Sequence, residues 1–173
     1  MHSDDRTANL LGATALAVGD VVLGAAAASV GLSPSGSAAL VVLSASPDLQ
    51  VTELARRIGL SQPAATRLVD ALEARRLVER RPGRGRGLEI RLTRTGRSAT
   101  RSLLDARDAP LHELVALLAD EDRRALGDLL ATLLAKLYER VGDAELMCRL
   151  CNRAACTTDA VCPVGEAERR ASH

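Results

Sequence analysis

All four cysteines of this 173-residue chain lie within fifteen residues near its C-terminus. The spacing is C-x2-C-x4-C-x5-C, formed by Cys148, Cys151, Cys156 and Cys162. Four thiolates complete the tetrahedral coordination that Zn²⁺ prefers, without any further ligand. In a cytoplasmic protein, such a cluster is more typical of a metal site than of disulfides. The spacing therefore predicts a zinc site.

Three other interpretations of these cysteines stay open. An iron–sulfur cluster uses the same ligands, and Cys162 followed by Pro163 is similar to the Cys-Pro ending of some ferredoxin motifs. A reversible thiol–disulfide switch needs only neighbouring thiols. The remaining interpretation is that the cysteines have no function. The spacing favours zinc but excludes none of these three interpretations.

The middle of the chain is strongly basic, although the whole chain has a net charge of only +1. Residues 53–107 contain fourteen arginines and six acidic residues, a net charge of +8, and the remainder carries −7. Clustered positive charge is typical of a surface that binds phosphates. An arginine-rich coding bias would explain the preference for Arg over Lys, but it does not explain the clustering.

This basic region contains the pattern of a helix-turn-helix. We expect a short helix that begins with Thr52 as its cap and ends at Gly59. A second helix, over residues 61–75, is expected to begin at Ser61 with Pro63 in its first turn. Its apolar residues recur at i, i+3, i+4 and i+7, which predicts one buried face. They are Ala65, Leu68, Val69 and Leu72.

Two short segments after the second helix predict a β-hairpin. Residues 77–81 and 88–92 have the composition and alternation of strands, and a Gly-rich basic loop joins them. A hairpin placed directly after a helix-turn-helix predicts a winged helix. The glycines of the loop lie inside a hairpin, so they do not indicate a nucleotide-binding site.

A helix in the major groove of duplex DNA reads base edges with its exposed side chains. On the second helix, Gln62 suits adenine, Thr66 the methyl group of thymine, and Arg67 guanine or a phosphate. On the hairpin, arginines suit phosphates or a narrow minor groove. The predicted DNA-binding residues are Ser61, Gln62, Pro63, Thr66, Arg67, Arg81, Arg84 and Arg86.

Long helices are predicted on both sides of the winged helix. The apolar run of residues 10–32 predicts a buried helix, and Asp20 at its middle argues against a membrane span. A helix from Thr93 should bend or stop near Pro110. A last helix, capped by the acids of residues 120–122, carries a leucine stripe that predicts dimerisation. The alternative is that this stripe packs on the first helix of the same chain.

The chain has no Phe, no Trp and one Tyr, Tyr138. An aliphatic core suits packed helices, and the lack of aromatic side chains argues against proteins that stack bases on aromatic rings. The expected fold is therefore mainly α with a small β-hairpin: a winged helix-turn-helix plus a helical dimerisation region. No arrangement of residues typical of an enzyme is present.

The sequence of residues 51–80, VTELARRIGLSQPAATRLVDALEARRLVER, resembles the multiple-antibiotic-resistance regulator (MarR) family. So does LTRTG at residues 92–96, and the similarity covers roughly residues 10–140. The resemblance implies a dimeric winged-helix regulator whose first and last helices form the dimer interface. It implies nothing about the cysteines, which lie outside the family's pattern.

The expected hairpin loop departs from the family. The family usually has an Asp-x-Arg element there, in which the Asp braces an Arg that reaches the minor groove. Here the Arg falls on Arg86, and Arg84 stands at the position of the Asp. The resemblance therefore implies a less rigid but more highly charged wing.

We expect four segments: a dimerisation helix (5–32), the winged helix (33–95), further dimerisation helices (96–142) and the Cys-rich tail (143–173). The predicted function is that of a cytoplasmic DNA-binding regulator. It would be a dimeric repressor of a pseudo-palindromic operator, modulated by a small-molecule effector, by metal or by redox state. The alternative is a metal- or redox-dependent module whose winged helix docks protein. No association with a membrane is expected.

Overall fold

The computed structural model describes residues 2–83 and 87–172, of which the side chains of residues 2 and 3 are not considered. The elements in chain order are α1 (His2–Val30), α2 (Pro34–Ala45), β1 (Leu49–Gln50), α3 (Val51–Ile58), α4 (Gln62–Ala74), β2 (Val78–Pro82), β3 (Leu88–Leu92), α5 (Arg94–Ala116), α6 (Asp120–Val141), α7 (Ala144–Met147), α8 (Arg153–Thr157) and α9 (Pro163–Ala171). The expected fold class, mainly helical with a small sheet and a winged helix, is confirmed.

The helix-turn-helix consists of α3 and α4, which pack with α2 and the sheet around one aliphatic core. Leu40, Leu54, Leu72 and Ile90 are fully buried there. The turn begins at Gly59, whose φ of 69° lies in the left-handed region that favours glycine. The first helix therefore ends at the predicted residue.

The wing is an antiparallel hairpin of β2 and β3, with Val78 opposite Leu92 and Pro82 opposite Leu88. A third strand, β1, extends the sheet and gives the order β1-β3-β2. Strand β1 was not predicted from the sequence, because a strand of two residues shows no periodicity. Leu49 pairs with Ile90 in this sheet, so β1 joins the segment before α3 to the wing.

The start of α5 lies unusually close to the backbone of the wing. Thr93 caps the helix, since its Oγ1 accepts a hydrogen bond from the Gly96 nitrogen at 2.9 Å. The Thr93 nitrogen donates to the Leu77 carbonyl at 3.0 Å. A Cβ atom on Gly96 would lie only 1.9 Å from the same carbonyl oxygen. Residue 96 must therefore be glycine for α5 to approach the wing.

An arginine of the helix-turn-helix holds the C-terminal end of α1. The last carbonyl groups of a helix have no partner within it. The Arg75 guanidinium donates hydrogen bonds to the Val30 carbonyl at 2.8 Å and to the Gly31 carbonyl at 2.7 Å. The first helix is thus fixed to the end of α4.

Three expectations about helix ends and continuity are wrong. Gln50, and not Thr52, is the N-cap residue of α3, because β1 leads directly into the helix. The acids of residues 120–122 lie in the first turn of α6, after the N-cap residue Ala119, where they favour the positive end of the helix. Pro110 lies inside α5 and does not end the helix, so the expected stop at this residue is absent.

The expectation that α1 is buried is also wrong for the single chain. Leu16 is 73% exposed, and Leu10, Leu11 and Val21 are about half exposed. Among the residues of α1 whose side chains are described, Ala26 is the one that is buried. By length and composition alone, α1 is long and apolar enough to cross a membrane, a test that core helices of soluble proteins also pass. Its C-terminal part packs instead beside Val41 and Leu103.

The leucine stripe of α6 is exposed as well. The first helix of the same chain therefore does not cover it, and the alternative in which the stripe packs on that helix is wrong. The exposed residues are Leu129, Leu130, Leu133, Leu134 and Leu137. At its C-terminal end, α6 contacts the tail. Tyr138 is buried there with Ala144 and Val164.

We predict that Gly96→Ala destabilises the protein, because the new methyl group would overlap the Leu77 carbonyl. The expected loss is about 1–3 kcal/mol in the free energy of unfolding, as for other overpacked sites. Urea denaturation followed by circular dichroism measures it. The matched control is Gly127→Ala, within α6, where a Cβ has no neighbour within 4 Å. A gain in stability of up to about 1 kcal/mol is expected there. Equal stability of the two variants would contradict the role of Gly96.

Candidate nucleic-acid interface and cysteine cluster

The N-terminal half of α4 presents a polar surface to solvent. Gln62, Pro63, Thr66 and Arg67 are exposed. On the opposite side Ala65, Val69 and Leu72 are buried, and Leu68 packs against the same core. The predicted orientation of the helix is thus confirmed, while the contact of these residues with DNA stays a prediction.

The hydroxyl groups of Ser61 and Thr66, at the start of α4, differ in their hydrogen bonds. Ser61 is the N-cap residue, but its side chain makes no capping hydrogen bond. The Thr66 hydroxyl donates to the Gln62 carbonyl at 3.0 Å. Because the Ser61 hydroxyl makes no capping hydrogen bond, it can bind a phosphate without losing one.

Arg67 differs from most arginines of the basic region. It is exposed, and no ion pair joins it to any residue that the structure describes. The nearby carboxylate of Asp70, on the same helix, accepts a hydrogen bond from Arg80 of β2 at 2.6 Å. Because Arg80 compensates Asp70, this acid repels a phosphate at the α4 surface less strongly.

Arg80 was not among the functional residues predicted from the sequence. It also contacts Glu73 with its guanidinium, and its backbone nitrogen donates to the same carboxylate at 3.2 Å. These pairs join α4 to the first strand of the wing. The sequence pattern that could have indicated these ion pairs was weak. It consisted of two acids on the exposed face of a helix, followed by an arginine-rich strand.

On the wing, Arg81 is exposed and pairs with Glu79 at 2.8 Å. Arg84 and Arg86 lie outside the described residues. Arg91 of β3 makes two hydrogen bonds with Asp48, at 2.6 and 2.8 Å, and so joins the wing to the turn before β1. The structure therefore places Arg81 beside the described part of the loop, with its charge partly compensated.

The two arginines of α3 form a network that reaches the Cys-rich tail. Glu53 accepts hydrogen bonds from Arg56 at 2.8 Å and from Arg57 at 2.6 Å. These bonds, the one from Arg56 above all, lower the pKa of Glu53 to about 2. The same arginines pair with tail carboxylates: Arg56 with Asp143 at 3.2 Å, and Arg57 with Glu145 at 3.3 Å.

Apolar contacts accompany these ion pairs. A Cβ on Gly59, in the turn of the helix-turn-helix, would lie 3.1 Å from Cδ1 of Leu146 in α7. Leu150 packs against the winged-helix core and also against the cluster of Ala26, Val41 and Leu103. The tail was expected to be a separate segment. Its docking was not predicted, because a single sequence does not reveal contacts between residues some 90 positions apart.

The four cysteines line a cavity of about 290 Å³, together with Arg107 of α5 and Leu134 of α6. They also line a second cavity of about 280 Å³, together with Glu145 and Glu168. All four thiols are free and partly buried. Among the residues that the structure describes, no group of three or more His, Cys, Asp or Glu side chains is arranged to hold a metal ion. The predicted zinc ligands therefore lie near one another without forming a coordination shell, and zinc binding stays a prediction.

Hydrogen bonds among the thiols shift their acidity. A hydrogen bond from Cys151 lowers the pKa of Cys148, and the bond with Cys148, together with burial, raises the pKa of Cys151. Burial is the main cause that raises the pKa of Cys156 to about 11. Cys162 is the N-cap residue of α9, and its Sγ accepts a hydrogen bond from the Gly165 nitrogen at 3.5 Å. The cysteines thus form one connected group.

Comparison with known proteins relates this chain to regulators. The sequence model of the MarR family matches residues 30–87. No curated protein matches the chain. Solved structures do match. RV1404 from Mycobacterium tuberculosis is 26% identical, with a TM-score of 0.65, and the match covers 83% of this chain and 96% of that one.

Two further structures show the same fold. The Mycobacterium tuberculosis MarR family protein Rv2887, solved in complex with DNA, is 28% identical with a TM-score of 0.57, over 71% of this chain and 96% of that one. A MarR family protein from Bacillus stearothermophilus is 22% identical with a TM-score of 0.69, over 82% of this chain and 97% of that one. The chain therefore has the fold of the MarR-family transcription regulators, and its residues 30–87 match the sequence model of that family.

Proposed function

We propose that the protein is a dimeric, cytoplasmic repressor that reads a pseudo-palindromic operator in duplex DNA. The observation that carries this proposal is the exposed N-terminal face of α4, with Arg67 unpaired among the described residues, beside a basic wing. The similar protein Rv2887 was solved in complex with DNA, which supports the proposal. Enzymatic activity is not expected of such a regulator.

The geometry of α4 suits the major groove of B-DNA, which admits one α-helix. Gln62 and Arg67 lie on the exposed side of its first two turns, where a recognition helix contacts base edges. The N-terminus of α4, which begins after Ser61, favours a phosphate because its backbone N–H groups are unpaired. The arginines of the wing, Arg81, Arg84 and Arg86, would then contact the flanking backbone or minor groove.

A second copy of the chain is the proposed occupant of the exposed apolar faces of α1 and α6. Leu16 of α1 and Leu129 of α6 are 73% and 63% exposed. Leucine faces this large rarely stay in water on a soluble monomer. Arg75 joins the end of α1 to the end of α4, so dimerisation through α1 would also set the spacing of two α4 helices. Two such helices read half-sites about one helical turn apart.

The first prediction of this proposal concerns salt. Binding of duplex DNA releases counterions, so the logarithm of the affinity should fall steeply as the logarithm of salt concentration rises. Fluorescence anisotropy with a labelled duplex over a range of salt concentrations measures the slope. A flat slope, or no duplex binding at low salt, would favour the alternative in which the winged helix docks protein.

The second prediction concerns Arg67. We expect Arg67→Ala to weaken duplex binding by about 1–3 kcal/mol, the usual cost of losing a base or phosphate contact. The control is Arg124→Ala, which removes an arginine of α6 that is also exposed. That variant should bind like the unchanged protein. Equal losses in both variants would mean that general charge, and not the α4 face, accounts for binding.

The third prediction concerns the dimer. Leu129→Glu combined with Leu133→Glu places two charges on the α6 stripe and should convert the dimer to monomer. Analytical ultracentrifugation measures the mass. Val161→Glu is the control, since Val161 is 68% exposed in the tail and outside the stripe. An unchanged protein that sediments as a monomer would refute the proposed dimer.

A further inference from the structure

The Cys-rich tail is joined to the helix-turn-helix at the residues that flank its first two cysteines. Asp143 and Glu145 pair with Arg56 and Arg57 of α3 just before Cys148 in the chain. Arg153, which follows Cys151, also pairs with Glu145, at 2.9 Å. The carboxylates that pair with α3 therefore lie in the same short segment as Cys148 and Cys151.

Leu150 adds an apolar connection from within the Cys148–Cys151 segment. It is partly buried and packs against the core of the winged helix and against the cluster that contains Ala26 and Leu103. Ala26 belongs to α1 and Leu103 to α5. Leu150, which lies between two cysteines, thus contacts both the core of the winged helix and the cluster formed with α1 and α5.

The chemistry of the cavity suits a soft divalent cation. Four thiols line it with Arg107 and Arg149, and the same thiols line a second cavity together with Arg153, Glu145 and Glu168. Four thiolates with Zn²⁺ carry a charge of about −2, which neighbouring guanidinium groups stabilise. In the protonated state the thiols hydrogen-bond one another. Zinc would displace their protons and draw the sulfurs around one centre.

We propose that Cys148, Cys151, Cys156 and Cys162 bind one Zn²⁺ ion, and that this ion regulates DNA binding by fixing α7 against α3. The regulatory half of this inference rests on the proposed function. With zinc bound, the Cys148–Cys151 segment is held in place, and so are Asp143 and Glu145 against α3. Without zinc the tail is free to leave α3, and the helix-turn-helix loses part of its support.

Zinc binding is tested first, without DNA. The full chain is titrated with Zn²⁺ under anaerobic conditions, and bound metal and free thiols are counted. We expect one zinc per chain and protection of four thiols, and the chain has no cysteine outside the cluster to confuse the count. Cys148→Ser with Cys151→Ser should abolish binding. Less than one zinc per chain, zinc binding that survives the substitutions, or a brown iron–sulfur protein would overturn the site.

The link to α3 is tested by hydrogen exchange. Zinc should increase the protection of α3 amides in the unchanged protein, and removal of zinc with a chelator should reverse the effect. Because a chelator leaves the sequence intact, this comparison holds even if the cysteine variant folds poorly. Unchanged protection of α3 in the presence of bound zinc would overturn the link.

The regulatory effect is tested with the tail carboxylates. Removal of zinc should weaken duplex binding at least about fivefold, the lower end of typical coupling between sites. Asp143→Asn with Glu145→Gln should abolish this difference while one zinc still binds. The matched control is Glu139→Gln, which breaks the exposed pair with Lys136 on α6 and should leave the zinc effect intact. Zinc binding without any effect on DNA affinity would overturn the regulatory half.

Failure of the proposed function would look different. If no form of the protein bound duplex DNA, the zinc count and the protection of α3 would still decide the site and its link to the helix-turn-helix. If DNA bound with the expected salt dependence but zinc did not bind, the regulator would stand and the zinc site would fall.

Discussion

The close approach of α5 to the Leu77 carbonyl is the constraint on which the arrangement of the helices depends. That oxygen accepts hydrogen bonds from Thr93, and it lies where a side chain on residue 96 would be. This close approach sets the direction in which α5 leaves the wing. The direction of α5 in turn places the surface on which α1 packs.

The internal ion pairs explain why a charge of +8 over residues 53–107 overstates the DNA-binding surface. Arg57, Arg80 and Arg91 neutralise acids of neighbouring elements, and Arg75 binds the end of α1. The charge pattern located the right part of the chain. It could not separate the arginines that hold the winged helix together from Arg67, because partners distant in sequence are visible only in the folded chain.

The elements with strong periodicity were predictable from the sequence. The amphipathic pattern of α4, the hairpin and Gly59 were all recognisable, since each depends on residues close in sequence. The failures have a common cause. Tertiary contacts decide both the pairing of the two-residue strand β1 and the docking of α7 on α3. The exposure of α1 belongs to the same class, because apolar composition does not say which chain covers a helix.

Tyr138 gives the tail a natural optical reporter. It is the chain's one aromatic side chain of the Phe, Trp and Tyr types, and it is buried at the junction of α6 with α7 and α9. Its ultraviolet emission therefore comes from a single site, with no tryptophan to mask it. Undocking of the tail would bring the ring into water, and the light emitted by the unlabelled protein would report that motion directly.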